Sequence, residues 1–265
     1  MIAVALSAAP RADAETQAQS PQRLQWSYAG AFGKFDRGQL QRGFKIYREV
    51  CAGCHSLKLL PIGTLADDDG PGFSLAEVTS LASEYAITDI SETGEPVTRP
   101  GRPADPFPSP FVNEAAAKAA NGGIAPPDLS TLAKARNLSA GLPWSARDIF
   151  TQYQEQGPDY IAAILKGYAT PSRTVSVPPG GYYNTAFPGY IIAMPPPLQA
   201  GQVTYDDDAP HTLDQYAQDI AAFLMWAAEP HLVDRKRIGF QAMPVLILLA
   251  ALLYFTKKKV WSAIA

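Results

Sequence analysis

The sequence predicts a mainly α-helical body, broken by long Pro/Gly-rich loop insertions and followed by one C-terminal transmembrane helix. Three observations carry this. Apolar residues recur at helical spacing in two segments, after Asp36 and after Thr212. The 265 residues include 24 Pro and 20 Gly, so much of the chain must be ordered loop. Ile238–Phe255 reads IGFQAMPVLILLAALLYF, 18 residues without a charge.

At the N-terminus, a small apolar stretch ends in Ala12-Asp13-Ala14, an A-x-A-like cleavage site. Residues 1–14 are expected to be the remnant of an export signal whose basic start lies further upstream. Export would put residues 15–230 in the periplasm. Asp36 is expected to cap a helix running through Gln39 to Val50. Leu40, Phe44, Tyr47 and Cys51 share one face of it, so the helix delivers Cys51 toward the interior.

Residues 91–127 are dense in Pro, Gly and Ser and read as a long surface excursion. Short helices are expected around Leu129–Arg136, Ser145–Tyr153 and Asp159–Tyr168. Residues 171–206 are again Pro/Gly-rich and promise little regular structure. A clear helix starts at Thr212, where Thr212 and Gln215 fit a capping box. Tyr216, Ile220, Phe223, Leu224 and Ala227 make its apolar face. This helix and the Asp36 helix are expected to pack together around a cofactor.

Glu229-Pro230 interrupts the second helix, and residues 231–237 read as a linker. Residues 238–255 would span about 27 Å as a helix, roughly the hydrocarbon thickness. Arg235-Lys236-Arg237 and Lys257-Lys258-Lys259 flank the span and suit headgroups on either side. Three basic residues on each side leave the orientation open by charge. Residues 256–265 would form a cytoplasmic tail. No internal repeat is visible.

Six of the 22 basic residues and two of the 25 acidic ones lie from Glu229 onward, which leaves 16 basic and 23 acidic ahead of it. An acidic body argues against nucleic acid and suits a basic protein partner.

The only cysteines are in Cys51-Ala52-Gly53-Cys54-His55, which is C-x-x-C-H, the attachment signature of c-type haem. Two thiols at this spacing can add to the two vinyl groups along one porphyrin edge. The adjacent His55 can then swing beneath the iron, and small Ala52 and Gly53 let the backbone lie close. A thioredoxin-like motif would want a βαβ context, and a zinc finger would want paired histidines three to five residues apart. His211 and His231 are twenty apart. The expected cofactor is one covalent haem c.

A His–Met pair is the usual electron-transfer ligation. Met1 lies in the leader and Met243 in the membrane segment, so Met194 and Met225 remain. Met194 stands in Ala193-Met194-Pro195-Pro196-Pro197, where the following prolines push it into an extended, stiff loop. Met225 falls inside the second helix, opposite its apolar stripe. Met194 is the favoured sixth ligand. His211 and His231 are rivals whose ordinary reading is exposed linker histidine.

The segments YREVCAGCHS (47–56), APPDLS (125–130), YYNTAFPGYIIAMPPPL (182–198), FLMWAAEP (223–230) and DRKRIG (234–239) together resemble the cytochrome c1 family, the haem subunit of the quinol–cytochrome c reductase or bc1 complex. The resemblance covers roughly residues 22–265. It implies a cytochrome c-like haem domain on the periplasmic side of a bacterial inner membrane, held by a single span. Such a domain takes an electron from the Rieske iron–sulfur protein and gives it to a soluble or anchored cytochrome c. The anchor packs beside cytochrome b in a dimeric complex. It makes Met194 the sixth ligand, puts Pro127 against the haem, Arg136 toward a propionate and Tyr160 in the pocket lining. The chain departs from some relatives in having no further cysteine pair to brace the Met194 loop, and in carrying His231 where many have an acid.

Asp67-Asp68-Asp69 and Asp206-Asp207-Asp208 are acidic runs that could steer a basic cytochrome c. The competing readings are another anchored monohaem cytochrome, such as an oxidase subunit or shuttle, and a haem enzyme or sensor with an open iron position.

Overall fold

The computed structural model describes residues 21–136, 148, 156–171 and 175–262. The export-signal expectation for residues 1–14 lies outside these, as does the helix expected over Ser145–Tyr153 apart from Asp148.

Helix α1 (Arg37–Ile46) starts where expected: the Asp36 carboxylate accepts from the Gln39 amide at 2.6 Å. It passes without a break into a π-helical turn, Tyr47–Cys51, closed by Ala52 N–H on the Tyr47 carbonyl at 2.8 Å. A 3₁₀ turn (Ile62–Ala66) and α2 (Leu75–Ser83) follow. Ser74 and Glu77 cap α2 reciprocally.

The excursion expected over 91–127 carries more order than its composition suggests. Strands β1 (Ala86–Ile90) and β2 (Pro96–Pro100) form an antiparallel hairpin, Ala86 facing Pro100 and Ile90 facing Pro96. A two-stranded ribbon is all edge, so it tolerates a proline at each end of β2. Arg99 fastens it, pairing with Asp89 at 2.7 Å and with Asp105 at 2.7 Å. Asn113 then caps the short helix α3 (Glu114–Ala120).

Helix α4 (Leu132–Ala135) and α5 (Gln156–Lys166) correspond to two of the expected short helices. Strands β3 (Tyr182–Tyr183) and β4 (Ile191–Ile192) pair antiparallel in the Pro/Gly-rich stretch. Helix α6 (Leu213–Ala228) has the Thr212 cap, its side chain accepting from Gln215 N–H at 3.2 Å. The box is only half made: the Gln215 side-chain amide donates to Asp219 at 2.8 Å instead of returning to Thr212.

The core sits where α1 and α5 pack on α6. Phe44 and Tyr47 meet Phe223 with ring centroids 5.7 and 6.0 Å apart. The α1–α6 crossing is close enough that a Cβ on Gly43 would lie 2.2 Å from the Asp219 carbonyl oxygen. A single-faced amphipathic helix was expected at α6, but every residue from Asp219 to Ala227 is buried. Met225 is therefore a core residue, 2% exposed, and not on an open face. Elements on all sides cover α6, which the periodicity of one helix cannot foretell.

Buried Asp219 holds this centre together. Its carboxylate takes Arg42 Nε at 2.9 Å, the Tyr205 hydroxyl at 2.8 Å and amides from Gln39 and Gln215 at 3.2 and 2.8 Å. A buried carboxylate with four donor residues is a satisfied one.

Glu229 ends α6, and its carboxylate takes Lys134 from α4 and Arg235. Helix α7 (Leu232–Ser262) begins three residues later, so residues 232–237, expected as linker, form its first turns. Its apolar window has mean hydropathy 2.1 and no buried residue, and it is long and apolar enough to cross a membrane.

Candidate haem-binding site

The C-x-x-C-H run is wound into the end of the π turn. His55 N–H bonds the Cys51 carbonyl at 2.8 Å and Cys54 N–H the same oxygen at 3.1 Å. This local wrap sets His55 one turn beyond Cys51. Both cysteines are free thiols. Cys51 packs against the main core, while Cys54 is exposed. Burial, with Cys54 nearby, pushes the Cys51 thiol up to about 12.

His55 Nδ1 lies 2.8 Å from the Pro127 carbonyl oxygen. A carbonyl only accepts, so Nδ1 carries the proton and Nε2 keeps its lone pair. Burial lowers the His55 pKa, although the Pro127 bond and Asp128 act the other way. The neutral imidazole with one nitrogen fixed by a carbonyl is the form a metal ligand takes.

Pro127 is held in place by its neighbour Asp128. One Asp128 oxygen accepts from the Ser56 hydroxyl at 2.7 Å and from Lys58 N–H at 2.9 Å; the other takes Ser130 N–H at 2.9 Å. Leu59 N–H reaches the Ser130 hydroxyl at 3.0 Å, and Leu129 N–H the Ser56 carbonyl at 2.9 Å. The two loops are thus laced together on both sides of the His55–Pro127 bond. Asp128 and Ser130 were not singled out from sequence, though the Asp-x-Ser spacing of a side-chain-capped turn was there to find.

Met194 belongs to a second packed group. It lies two residues beyond β4 and packs with Phe187 and Ile192 on buried Tyr160, Ile164 and Ala186. Helix α5 divides the two groups, with Ile161 and Ala162 in the main core and Tyr160 and Ile164 toward Met194. The loop is fixed at two points. The Tyr168 hydroxyl donates to the Met194 carbonyl at 3.0 Å. Buried Asn184 donates to the Ile164 carbonyl at 2.7 Å and accepts Ala186 N–H at 3.0 Å. The turn between β3 and β4 places Tyr190 at φ 62, next to Gly189 at φ 77. Tyr168 and Asn184 left no signal in the periodicity, because their partners are backbone atoms of other segments.

Arg136 is exposed at the end of α4, and its guanidinium acts on the Tyr160 hydroxyl against the effect of burial. The rival ligands are differently engaged. His211 Nε2 accepts from Tyr205 N–H at 3.2 Å, and His231 is exposed beside Asp67. Two free thiols, an imidazole with Nε2 available and a thioether on a pinned loop form a donor set that fits a covalent porphyrin iron. Among the described residues there is no cluster of three or more His, Cys, Asp or Glu to suggest another metal.

The two acidic runs differ. Asp206 pairs with Lys45 at 3.1 Å and Asp207 with Arg42 at 2.6 Å, so that run is fastened to α1. Among the described residues, Asp68 and Asp69 make no ion pair.

The profile of the Cytochrome C1 family matches residues 26–264. Cytochrome b/c1 of Bradyrhizobium diazoefficiens is 55% identical over 253 residues, which cover 95% of this chain but 37% of that longer protein. Cytochrome c1 of Blastochloris viridis is 46% identical, covering 91% of this chain and 86% of its own. The mitochondrial cytochrome c1 haem protein of Saccharomyces cerevisiae is 40% identical over 90% and 71% respectively. With the C-x-x-C-H turn, the Met-Pro-Pro-Pro loop and an apolar helix beyond them in the same order along one chain, the protein belongs to the cytochrome c1 family, the haem subunit of the bc1 complex.

Proposed function

We propose that the chain carries single electrons from the Rieske iron–sulfur protein to a soluble or anchored cytochrome c within the quinol–cytochrome c reductase. Cys51 and Cys54 would hold one haem c through thioethers, and His55 Nε2 and Met194 Sδ would ligate its iron. Haem c, when bound, supplies a one-electron iron couple at a potential raised by thioether ligation. Pro127 fixes the His55 ring, Tyr160 lines the Met194 side, and Arg136 offers a cation for a propionate. The observation that carries the reading is the bond from His55 Nδ1 to the Pro127 carbonyl, which leaves Nε2 free on a residue next to Cys54 and one turn beyond Cys51.

Family membership supports the partners. The Bradyrhizobium relative is named for cytochrome b and c1 together, which favours cytochrome b as the neighbour of α7 in a dimeric complex. Haem attachment outside the cytoplasm puts residues 15–230 in the periplasm, 238–255 across the inner membrane and 256–265 in the cytoplasm.

The test is extraction from membranes in mild detergent, followed by treatment with acidified acetone. Cytochrome b and a Rieske protein should copurify, and the pigment should stay on this polypeptide. Pigment released into acetone, or carbon monoxide binding to the native reduced protein, overturns the reading. Pigment retained without cytochrome b and a Rieske protein would instead point to another anchored monohaem cytochrome.

A further inference from the structure

The turn from Ser27 to Lys34 stands beside the base of α7 and ends in an uncovered aromatic ring. Lys34 N–H bonds the Ser27 carbonyl at 3.1 Å and Ala29 N–H the Trp26 carbonyl at 3.0 Å. Gly30 has φ +73, and at Gly33 a Cβ would lie 2.1 Å from the Ala29 oxygen. The loop therefore closes tightly, and Phe32 is thrown outward, 77% exposed. Between Tyr28 and Lys34 the residues are Ala, Gly, Ala, Phe and Gly, none charged.

The base of this turn is rigid. Tyr28 is fully buried, stacked on Trp26 and tilted against Phe35, with centroids at 5.5 and 4.6 Å. Lys236 of α7 donates its ammonium to the Tyr28 carbonyl at 2.5 Å. One helical turn further on, Phe240 meets the Phe32 ring edge-on at 5.4 Å. The loop thus runs along the helix from the basic Arg235-Lys236-Arg237 cluster into the charge-free span that opens at Ile238. Phe32 shares its depth with a residue inside that span.

We propose that the Ser27–Lys34 turn is a second membrane contact, in which Phe32 lies with Phe240 at the boundary between lipid headgroups and acyl chains. Aromatic rings favour that level, and exposed Lys34 can reach lipid phosphates. Lipid is the occupant that matches a lone ring on a small neutral loop continuous with a membrane span. The body then rests on the bilayer at two points, which restricts its tilt about the anchor. The inference rests on α7 being that anchor.

The test is a nitroxide on Phe32→Cys in the full chain within its membrane complex, reconstituted in phosphatidylcholine vesicles. Collisions with oxygen, which partitions into lipid, are compared with those of a water-soluble nickel chelate, and signal from the unsubstituted complex is subtracted. Labels at Leu248→Cys in mid-span and Val112→Cys on the body calibrate the scale. The Phe32 label should favour oxygen over nickel several-fold more than the Val112 label and less than the Leu248 label. A Phe32 label as open to nickel as that at Val112 overturns the proposal. So does one shielded from both reagents, which would signify a protein socket. A Leu248 label open to nickel would remove the anchor reading and the proposal with it.

Discussion

The hydroxyl of Tyr168 donates to the backbone carbonyl of Met194 at 3.0 Å. The chain has no cysteine pair to brace the Met194 loop, so this bond and the prolines after Met194 fix the thioether. Removing it with Tyr168→Phe should cost about 1 kcal/mol of local stability. The ferric charge-transfer band of iron–thioether bonding should weaken at a lower temperature than in the parent, and the midpoint potential should fall. A packing role alone would leave both unchanged, since the phenyl ring is retained.

Replacement of Met194 by Leu should abolish that band, admit carbon monoxide and lower the potential by a sizeable part of the roughly 0.8 V range that axial ligands set. Met225→Leu is the matched control. Met225 is a core residue, and a volume-conserving swap there should cost under about 1.5 kcal/mol and leave the spectrum alone. A reversed outcome would reassign the ligand.

The α1–α6 crossing depends on Gly43 and on Asp219 beneath it. Gly43→Val puts side-chain atoms into the Asp219 carbonyl and should lower stability by about 1–3 kcal/mol. Asp219→Ala leaves the Tyr205 hydroxyl and the Gln39 and Gln215 amides without their shared acceptor and Arg42 with Asp207 alone, and breaking a buried network in this way costs about 3–5 kcal/mol. Chemical unfolding followed by circular dichroism should rank the second variant below the first.

The acidic runs should contribute unequally to the association with a basic cytochrome c. Asp206 and Asp207 are already paired to α1, whereas Asp68 and Asp69 have no ion-pair partner among the described residues. Reduction of soluble cytochrome c should slow as ionic strength rises. Neutralising Asp68 and Asp69 to Asn should flatten that dependence more than the same change at Asp206 and Asp207. Equal effects, or a rate indifferent to salt, would dismiss the steering role.

What the sequence carried plainly was local. The Asp36 and Thr212 caps, the C-x-x-C-H turn, the stiff Met194 loop and the charge-free span each lie within a few residues, and each is found in the structure at those positions. What it hid was long-range. Asp219 reads as an ordinary polar residue on a helix until Arg42 and Tyr205 close over it. Gln215 fits a capping box, but its side chain turns to donate to Asp219 and does not accept from the Thr212 N–H. The β1–β2 hairpin escaped because its prolines, which oppose a central strand, are harmless on an edge. Ser56, Asp128 and Ser130 are separated by more than seventy residues from end to end, so only the folded chain shows them lacing His55 to Pro127.

Acid should act on that lacing. Burial would raise the Asp128 pKa, but the bonds from Lys58 N–H, Ser130 and Ser56 outweigh it and hold the carboxyl below its usual range. A carboxylate whose folded pKa lies below its unfolded value, about 3.9, contributes stability above that value. The contribution is lost as pH falls through the lower, folded value. Between pH 7 and about 5 the His55–Pro127 region should therefore be insensitive to pH through this group, and below about 4 it should loosen. Asp128→Asn keeps one acceptor oxygen and cannot titrate. It should be less stable than the parent at pH 7 by about 1–3 kcal/mol, from the lost charge-assisted bonds, with the gap narrowing as pH drops below 4. Unfolding of both proteins by urea across that range measures the gap directly. A difference that stays constant down to pH 2 would mean that Asp128 titrates alike in the folded and unfolded chain.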